Sequence, residues 1–351
     1  MKKIIYFTKY TNLGASSRLR SIQYFPLLEE KGYKVLHKPL FSDNYLKALY
    51  KGSKMKFVYL IIAYFKRMFD LLELRKNYII VIEKELFPFI PPFIEIGLRN
   101  LGYKYYVDYD DAIFHNYDLS TNPLIKKLLS DKIDRIMNNS YLVFAGNSYL
   151  EERAKKAQAD QVVILPTVID NKKYYKIDNK NAEEFTIGWI GSPSTFKYIQ
   201  NLLPVFYQLK EKYPHIRVNI IGAKQEASTQ DFINFIPWQE ATEVVELNKF
   251  DVGLMPLDLS PWEFGKCSYK LIQYMGCHIA VLASPVGMNN DVVIPDYNGQ
   301  LVEENEWYNK IEKYIIDKNL TVLHGNNGRK LIDSKYNLKN NSKIIIDCFE
   351  N

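Results

Sequence analysis

An acidic cluster follows a short apolar and aromatic run in the first half of the chain. Residues 103–107 predict a strand, which leads directly into the sequence DYDD at 108–111. Carboxylates at the end of a strand repel one another unless a hydrogen-bonded or cationic ligand compensates them. We therefore expect Asp110 and Asp111 to act on a bound substrate, with helix capping as the alternative. His115 is close enough along the chain to join them.

Two lysines mark a predicted strand, turn, helix and strand in residues 251–287. Residues 252–255 predict a buried strand, and helical spacing of apolar residues begins near Gly265 and Lys266. Lys266 and Lys270 would lie in the first turn, where positive charge opposes the helix dipole unless an anion binds. Because a helix N-terminus presents unpaired N–H groups, we expect a phosphate there. Solvated lysines are the alternative.

The first predicted strand, residues 3–8, is followed by a loop of small residues with one glycine, Gly14. Arg18 and Arg20 stand where this loop joins the next predicted helix. They are expected to reach an anionic ligand, and plain solvation is the alternative. The strand, loop, helix and strand order predicts a parallel sheet with ligands at the carboxyl ends of its strands. The G-x-G-x-x-G fingerprint of dinucleotide sites is missing.

The same order recurs in the second half of the chain. A predicted strand at 185–190 runs into Gly191 and Ser192, and Lys197 follows where a helix is expected to begin. Lys197, placed by a loop of small residues, is expected to bind phosphate, or else to be a surface lysine. Trp238 follows a later predicted strand and either borders a flat base or closes the core.

Composition and charge restrict the classes of function. With 351 residues, 47% hydrophobic and 25% charged, the chain is an ordinary globular protein long enough for two cores. Its net charge of +6 comes without a nucleic-acid recognition motif, so a phosphorylated ligand or membrane surface explains it better. Its three cysteines have no metal-ligand spacing, which predicts reduced thiols, a cytoplasmic protein and no metal. We expect no signal peptide and no spanning helix.

A basic and apolar segment occupies residues 47–75. Residues 57–65 are almost wholly apolar, and lysines and arginines flank them on both sides. The segment is too short to span a bilayer, so it is either an interfacial helix on the inner face of the cell membrane or a core helix. Its border is typical of an interface and favours the first interpretation; it comprises Tyr59, Tyr64, Lys66 and Arg67.

The order of predicted elements indicates an α/β fold with two Rossmann-like domains. Residues 170–184 are polar and lack apolar periodicity, so we place the boundary there. The expected domains are residues 1–170 and 185–333. A charged helical tail, residues 334–351, is expected to pack back on the first domain.

Several long motifs carry a resemblance to a known family. In order they are ASSRLRSIQYFPLLEEKGYKV, VDYDDAIF, GWIGSPSTFKYI, FDVGLMPL and WEFGKCSYKLIQYMGCHIAVLASPVG. The chain resembles the GT-B-fold retaining glycosyltransferases of family four, particularly those of bacterial surface polysaccharides. The resemblance covers most of the chain and implies two domains facing across a cleft. The first would bind the acceptor and the second the nucleotide-sugar donor.

The resemblance also implies positions for the donor contacts. Lys197 stands where the family places a phosphate-binding lysine, whereas Ser192 replaces the family's arginine. The family's two glutamates, separated by seven residues, ordinarily contact the donor sugar and the ribose. They align with Gly265 and Gln273, which leaves the ribose contact to the Gln273 amide.

The expected reaction is transfer of a sugar from a UDP- or GDP-type donor to a hydroxyl of a glycan or lipid-linked acceptor, with retention and without a cofactor. Lys197, Lys270 and the helix N-terminus would stabilise the leaving diphosphate. Asp110 and Asp111 would orient the acceptor. The expected donor contacts are Gly14, Gly191, Ser192, Trp238, Glu263, Gly265, Lys266 and Gln273, and the expected acceptor contacts are Arg18, Arg20 and His115.

Two other functions remain open. A nucleotide-sugar epimerase of the same fold needs no polymeric acceptor, and the basic and apolar segment argues against it. A catalytically silent sugar-nucleotide binding protein would explain why Gly265 and Gln273 replace the family's glutamates.

Overall fold

The chain forms two compact units. The computed structural model describes residues 2–178, 183–224 and 230–350, so residues 179–182 of the expected boundary lie outside the described part. One unit comprises Met1–Thr167, Gly265–Cys267 and Leu338–Asn351, and the other comprises Val168–Phe264 and Ser268–Asn337. In the described residues each unit contains one parallel six-stranded sheet. The predicted α/β class is confirmed.

The first unit is organised around strands that are short and mostly apolar. They are β1 (Lys3–Thr8), β2 (Lys34–Pro39), β3 (Ile79–Glu83), β4 (Tyr105–Tyr109), β5 (Leu142–Ala145) and β6 (Val162–Ile164). Their order in the sheet is β2-β1-β3-β4-β5-β6. The central strands are buried, as expected for a parallel sheet covered on both faces. Because β1, β3 and β4 are neighbours, the residues that follow them meet at one edge.

Helices connect these strands. They are α1 (Ala15–Arg20), α2 (Phe25–Glu30), α3 (Asp43–Tyr50), α4 (Met55–Leu72), α5 (Phe93–Asn100), α6 (His115–Asp118), α7 (Pro123–Leu129), α8 (Lys132–Asn139) and α9 (Ser148–Lys156). Local sequence fixes several of their starts. The Asn147 side chain accepts from Leu150 N (2.9 Å) at the start of α9, and Asn122 caps α7 in the same way.

The second unit repeats the strand and helix alternation. Its strands are β7 (Phe185–Ile190), β8 (Ile216–Ile221), β9 (Ile233–Ile236), β10 (Val252–Met255), β11 (Ala280–Ala283) and β12 (Gly299–Leu301). Their order is β12-β11-β10-β7-β8-β9, so β7 lies inside the sheet between β10 and β8. The core beside β7 includes Phe185, Ile187 and Trp189.

The remaining helices complete both units. They are α10 (Phe196–Gln200), α11 (Leu203–Lys212), α12 (Glu243–Leu247), α13 (Pro261–Phe264), α14 (Tyr269–Gly276), α15 (Asn289–Val292), α16 (Trp307–Ile316), α17 (Lys318–Ser334) and α18 (Leu338–Glu350). Helix α18 is grouped with the first unit, where the Tyr106 hydroxyl donates to Cys348 O (3.0 Å). The Tyr106 and Phe349 rings also meet edge to face, 5.1 Å apart.

Candidate functional site

In the first unit, the residues that follow β1 and β3 form a polar edge. Glu83, the last residue of β3, is buried and accepts hydrogen bonds from Lys9 N (3.1 Å) and Ser17 Oγ (2.6 Å). Lys84 follows it with a left-handed φ of +68° and is also buried. The charged groups of this edge contact one another, and these contacts offset the cost of burying their charges.

Lys84 joins the two acidic residues that follow β4. Its Nζ lies 2.8 Å from Asp110 Oδ1 and 3.4 Å from Asp111 Oδ2. The Ser16 hydroxyl donates to Asp110 Oδ2 (2.6 Å). The Asp110 side chain is 13% exposed and that of Asp111 is 35% exposed. Asp110 is therefore fixed in the edge, whereas Asp111 can be reached by a substrate.

The two carboxyls differ in acidity. Burial by itself would raise the pKa of Asp110, but the charges of Lys84 and Arg20 and the hydrogen bonds from Lys84 and Ser16 outweigh it and lower that pKa to about 2. Burial, together with the negative charge of Asp110, raises the pKa of Asp111, although Lys84 and Lys266 oppose the rise. Asp110 is therefore ionised at neutral pH, and Asp111 is the carboxyl better suited to hold or accept a proton.

Arg20, predicted to contact the acceptor, is buried in the first unit and its guanidinium is held by residues of the fold. Its buried guanidinium donates to Asp108 through Nε (3.0 Å) and Nη2 and to Leu165 O through Nη1 (2.6 Å). Arg18 lies nearer the surface, and its Nη1 donates to Asn12 O (2.9 Å). Arg20 is thus part of the fold's internal ion pairs, because its place in α1 turns it towards β4.

His115 is likewise held inside the first unit. Its Nδ1 lies 2.8 Å from Asp118 Oδ1 and its Nε2 lies 2.8 Å from the Tyr149 hydroxyl. Both ring nitrogens are therefore engaged by neighbours in the first unit, and the acceptor contact of His115 stays a prediction. Gly14 is buried against Tyr10, where an added Cβ would lie 2.3 Å from Tyr10 Cβ.

The segment Gly265–Cys267 is grouped with the first unit. A Cβ at Gly265 would lie 2.5 Å from Ala112 N, so the backbone approach requires glycine there. Asn147 Nδ2 donates to Lys266 O (3.1 Å). The predicted helix start at Gly265 and Lys266 is wrong, because α14 begins at Tyr269. Lys266 therefore precedes the helix.

In the second unit, two glycines follow neighbouring strands at the carboxyl edge of the sheet. Gly191 follows β7 and donates from its N–H to Ile221 O (3.0 Å), and Gly222 follows β8 with a φ of +87°. A Cβ at Gly222 would lie 2.1 Å from Gly191 O. The edge is therefore lined by bare backbone, as phosphate-binding turns require.

Lys270 and the first of these glycines both lie against the Trp189 ring. Its Nζ is 4.7 Å from the ring centroid of Trp189, and a Cβ at Gly191 would lie 2.3 Å from the same ring. Lys270 is the second residue of α14, so its charge and the helix N-terminus share one location. The structure thus brings Gly191 and Lys270 together through Trp189.

Ser192 and Lys197 occupy the loop that follows β7. Ser192 N donates to Thr195 Oγ1 (3.1 Å) and closes a short 3-10 turn, Pro193–Thr195. The Lys197 side chain is 61% exposed, and its Nζ lies 3.6 Å from Asp258. Lys197 is thus at the surface of the second unit with a carboxylate beside it.

Glu263 is buried in α13. It accepts hydrogen bonds from the hydroxyls of Tyr198 and Ser260. Burial and the hydrogen bond to Glu263 raise the pKa of Tyr198. Glu263 is therefore hydrogen-bonded to Tyr198, the residue that follows Lys197 in the chain.

Gln273 and Trp238 meet at a glutamate that the sequence did not reveal. Gln273 Nε2 lies 3.0 Å from Glu243 Oε1 and 3.1 Å from the Tyr174 hydroxyl, and Trp238 Nε1 donates to Glu243 Oε2 (2.5 Å). The Tyr174 hydroxyl also donates to Glu243. Glu243 lies in a polar stretch without a motif, so only its contacts identify it.

No helix within the described ranges combines the length and the apolar character that crossing a bilayer demands.

Comparison with known proteins gives a family match in the second half of the chain. Residues 184–317 match the family described as "Glycosyl transferases group 1". The capsular polysaccharide biosynthesis glycosyltransferase CapM of Staphylococcus aureus is 24% identical over 71% of this chain and 65% of its own length. The chain spans less than two thirds of the length of the curated relatives that it matches. Much of the chain is therefore similar to glycosyltransferases.

Solved structures show the same fold. Sucrose-phosphate synthase from Thermosynechococcus elongatus has a TM-score of 0.73 at 15% identity, covering 100% of this chain and 98% of its own. HepE from Anabaena, solved in complex with UDP and glucose, has a TM-score of 0.69 at 13% identity over 100% of both chains. The GT-B type of α/β fold, with two parallel six-stranded sheets, is confirmed.

Proposed function

We propose that this protein transfers a sugar from a nucleotide-diphosphate donor to a hydroxyl of a glycan or lipid-linked acceptor, with retention of configuration, in cell-surface polysaccharide synthesis. The observation that carries the proposal is the placement of Lys270 at the start of α14 and over Trp189, a ring that the bare backbone of Gly191 also approaches. This combination suits a diphosphate. The binding of UDP by HepE and the role of CapM in capsule synthesis support the choice.

The donor is assigned to the second unit. The diphosphate gains negative charge as the glycosidic bond breaks, and the Lys270 ammonium and the N–H groups of α14 would stabilise that charge without a metal. Lys197 adds a second cation from the loop after β7. Its ion pair with Asp258 would open when phosphate binds, because an exposed ion pair is worth little.

The nucleoside is assigned to the residues around Glu243. Trp238 offers a flat ring for the base, and its indole N–H is held by Glu243. The Gln273 amide, held by the same carboxylate, would supply the ribose contact. Glu263, with Tyr198, is assigned to the sugar hydroxyls, which would compensate for the glutamate missing at Gly265.

The acceptor is assigned to the polar edge of the first unit. Asp111 is the more exposed of the two carboxyls and would accept a hydrogen bond from the acceptor hydroxyl, while Asp110 and Lys84 hold it in place. In a same-face reaction the departing phosphate oxygen takes the acceptor proton, so Asp111 orients the hydroxyl and need not act as a strong base.

A panel of nucleotides and nucleotide sugars tests the proposal. Melting temperatures are measured with UDP, GDP, ADP and CMP and their sugars, with and without magnesium, and donors that bind are then incubated with acceptor glycans. A rise with one diphosphate and a product that keeps the donor's anomeric configuration support the proposal. Binding without transfer or hydrolysis indicates a silent binding protein, and a donor converted to its epimer indicates an epimerase.

A further inference from the structure

Helix α4 buries two charged residues and exposes most of its large apolar ones. Arg67 and Asp70 are buried, with Ala63, on the face that packs against the first unit. Arg67 Nη2 donates to Thr8 O (2.9 Å) and Lys38 O (3.1 Å), and Asp70 Oδ1 lies 3.2 Å from Lys38 Nζ. These contacts fix the helix by its polar face, so α4 is not the core helix that the sequence left as an alternative.

The opposite face of α4 exposes nine large apolar side chains, which are 46–78% exposed. Phe57, Ile61, Phe65, Phe69 and Leu72 follow one another on this face at helical spacing. A typical soluble monomer has a largest apolar patch of only roughly 300–600 Å², and large exposed apolar patches mark interaction surfaces. We therefore expect the outer face of α4 to be covered by a binding partner.

Further apolar side chains adjoin α4. The Tyr64 hydroxyl donates to Pro88 O (2.6 Å), which fixes the loop before α5 to the helix. In and after this loop Phe89 is 58% exposed and Phe93 is 67% exposed. The apolar surface therefore extends beyond a single helix.

Basic residues stand at both ends of α4. Lys54 and Lys56 are at its start, and Arg75 and Lys76 follow its end. Arg75 and Lys76 also line a surface cavity of about 790 Å³ with Lys2, Lys3 and Lys104. Among the described residues that line this cavity none is acidic. Basic residues thus flank both ends of the apolar face and offer sites for phosphate groups, while Glu73 at the second end is paired with Lys38 (2.6 Å).

We propose that the outer face of α4 docks on an anionic lipid bilayer and that the acceptor of the proposed reaction is consequently lipid-linked. An 18-residue helix is about 27 Å long and lies flat at the boundary between headgroups and acyl chains, with the lysines and arginines at the phosphates. The statement about the acceptor rests on the proposed function, whereas the docking does not.

A second copy of the chain fits this face less well than a bilayer does. Two-fold pairing of α4, whether antiparallel or parallel, would place a basic end of one copy against a basic end of the other, because Lys54 and Lys56 stand at its start and Arg75 and Lys76 follow its end. Such like charges repel, and this repulsion would oppose burial of the apolar face between two copies. Anionic lipid compensates both ends at once.

Vesicle binding tests the docking. The full chain is sedimented with phosphatidylcholine vesicles that contain or lack phosphatidylglycerol, at low and high salt. We expect binding that requires phosphatidylglycerol, and we expect Ile61→Asp with Phe65→Asp to lower the partition coefficient by on the order of tenfold or more. The matched control is Leu124→Asp with Leu128→Asp, an exposed apolar pair at the same spacing on α7, which should leave binding unchanged.

Four further readouts separate the outcomes: the melting temperature, its shift with nucleotide, light scattering and the transfer rate. Because Ile61 and Phe65 are exposed, the variant should keep its melting temperature, and its nucleotide-induced shift should match that of the unaltered chain. Absent vesicle binding, or equal losses in the α4 and α7 variants, overturns the docking while leaving donor binding intact. A dimer in light scattering that the α4 variant abolishes, without vesicle binding, assigns the face to self-association and also overturns it. Transfer to soluble glycans as fast as to lipid-linked acceptors overturns the acceptor statement alone.

Discussion

Lys84 Nζ lies 2.8 Å from Asp110 Oδ1 and 3.4 Å from Asp111 Oδ2, so one buried ammonium holds two consecutive carboxyls together. Lys84 N donates to Asp108 O (3.0 Å), which keeps its backbone in the left-handed conformation despite a cost of about 1–2 kcal/mol. The carboxyl ends of β3 and β4 are thereby joined by both main chain and side chain.

Lys84→Met is expected to lower the free energy of unfolding by about 3–5 kcal/mol, because it leaves Asp110 buried without its main countercharge. Chemical denaturation measures the loss. Lys155→Met is the control, since Lys155 is 60% exposed and pairs with Glu151 (2.7 Å) within one helix, an interaction worth about 0.3–0.5 kcal/mol. Equal losses in the two variants would contradict a buried role for Lys84.

Asp110→Asn should lower the pKa of Asp111. Burial and the negative charge of Asp110 both raise that pKa, and the substitution removes the charge while keeping the shape. A second variant tests the other carboxyl. The hydrogen bond from Ser16 lowers the pKa of Asp110, so Ser16→Ala should raise the pKa of Asp110. Carboxyl carbon NMR with labelled aspartate follows both titrations. In a transfer assay the acid limb of the rate should move to lower pH in Asp110→Asn, and an unmoved limb would separate Asp111 from the reaction.

Lys270→Ala should weaken diphosphate binding by about tenfold or more while lowering stability by only about 0.5–1 kcal/mol, the worth of a cation–π contact. Titration calorimetry with the nucleotide found by the panel measures the first effect, and denaturation measures the second. Lys210→Ala is the matched control, because Lys210 also lies over an aromatic ring, 5.3 Å from Phe232, in the second unit. If both variants bind the nucleotide equally well, Lys270 is not a phosphate contact.

Gly265→Glu, which restores the family's carboxylate in the sequence, should destabilise the fold. The new Cβ would lie 2.5 Å from both the N and the Cβ of Ala112, and main-chain atoms can move little, so a loss of about 1–3 kcal/mol is expected for Gly265→Ala and at least as much for glutamate. Gly97→Ala in α5 is the control, since its Cβ meets nothing within 4 Å. A stable Gly265→Glu variant with faster transfer would show that the segment has room for the family's glutamate.

The sequence predicted the strands at the carboxyl edges and the residues that follow them, because short apolar runs and glycines are local signals. Residues 185–190 and 252–255 were predicted with the bounds observed for β7 and β10. The sheets also brought Asp110 and Asp111 to an edge, as strand order alone implies. The bounds of α14 were harder, since Lys266 belongs to a loop fixed by Asn147, far away in the chain.

Side-chain direction could not be predicted in the same way. Arg20 and His115 have side chains that are suited to contact a substrate. In the structure Arg20 instead hydrogen-bonds to Asp108, and His115 to Tyr149. Pairing of this kind depends on residues tens of positions away, and periodicity carries no information on it. The one sequence signal for Lys84 is that a charged residue directly follows a buried strand, which would have indicated a residue at the carboxyl edge of the sheet.

Gln273→Glu should destabilise the second unit, and the loss should depend on pH. The new carboxylate would face Glu243 at the 3.0 Å now spanned by a hydrogen bond, so burial and like charge raise its folded pKa above the ordinary value near 4.3. An acid with a raised folded pKa binds its proton more tightly when folded. Its penalty is therefore small below about pH 4 and grows as pH rises, to about 3 kcal/mol at neutral pH for a shift of about two units.

Chemical denaturation below about pH 4 and at neutral pH checks this argument. It compares Gln273→Glu with the double variant Gln273→Glu and Glu243→Gln. The double variant again holds one carboxylate and one amide, so it should recover most of the stability and lose the pH dependence. Recovery of nucleotide binding in the double variant would mean that the pair serves the ribose whichever position carries the charge. Recovery of stability without binding would mean that Gln273 and Glu243 hold Trp238 and Tyr174 in place, and the ribose contact would then be assigned elsewhere in the second unit.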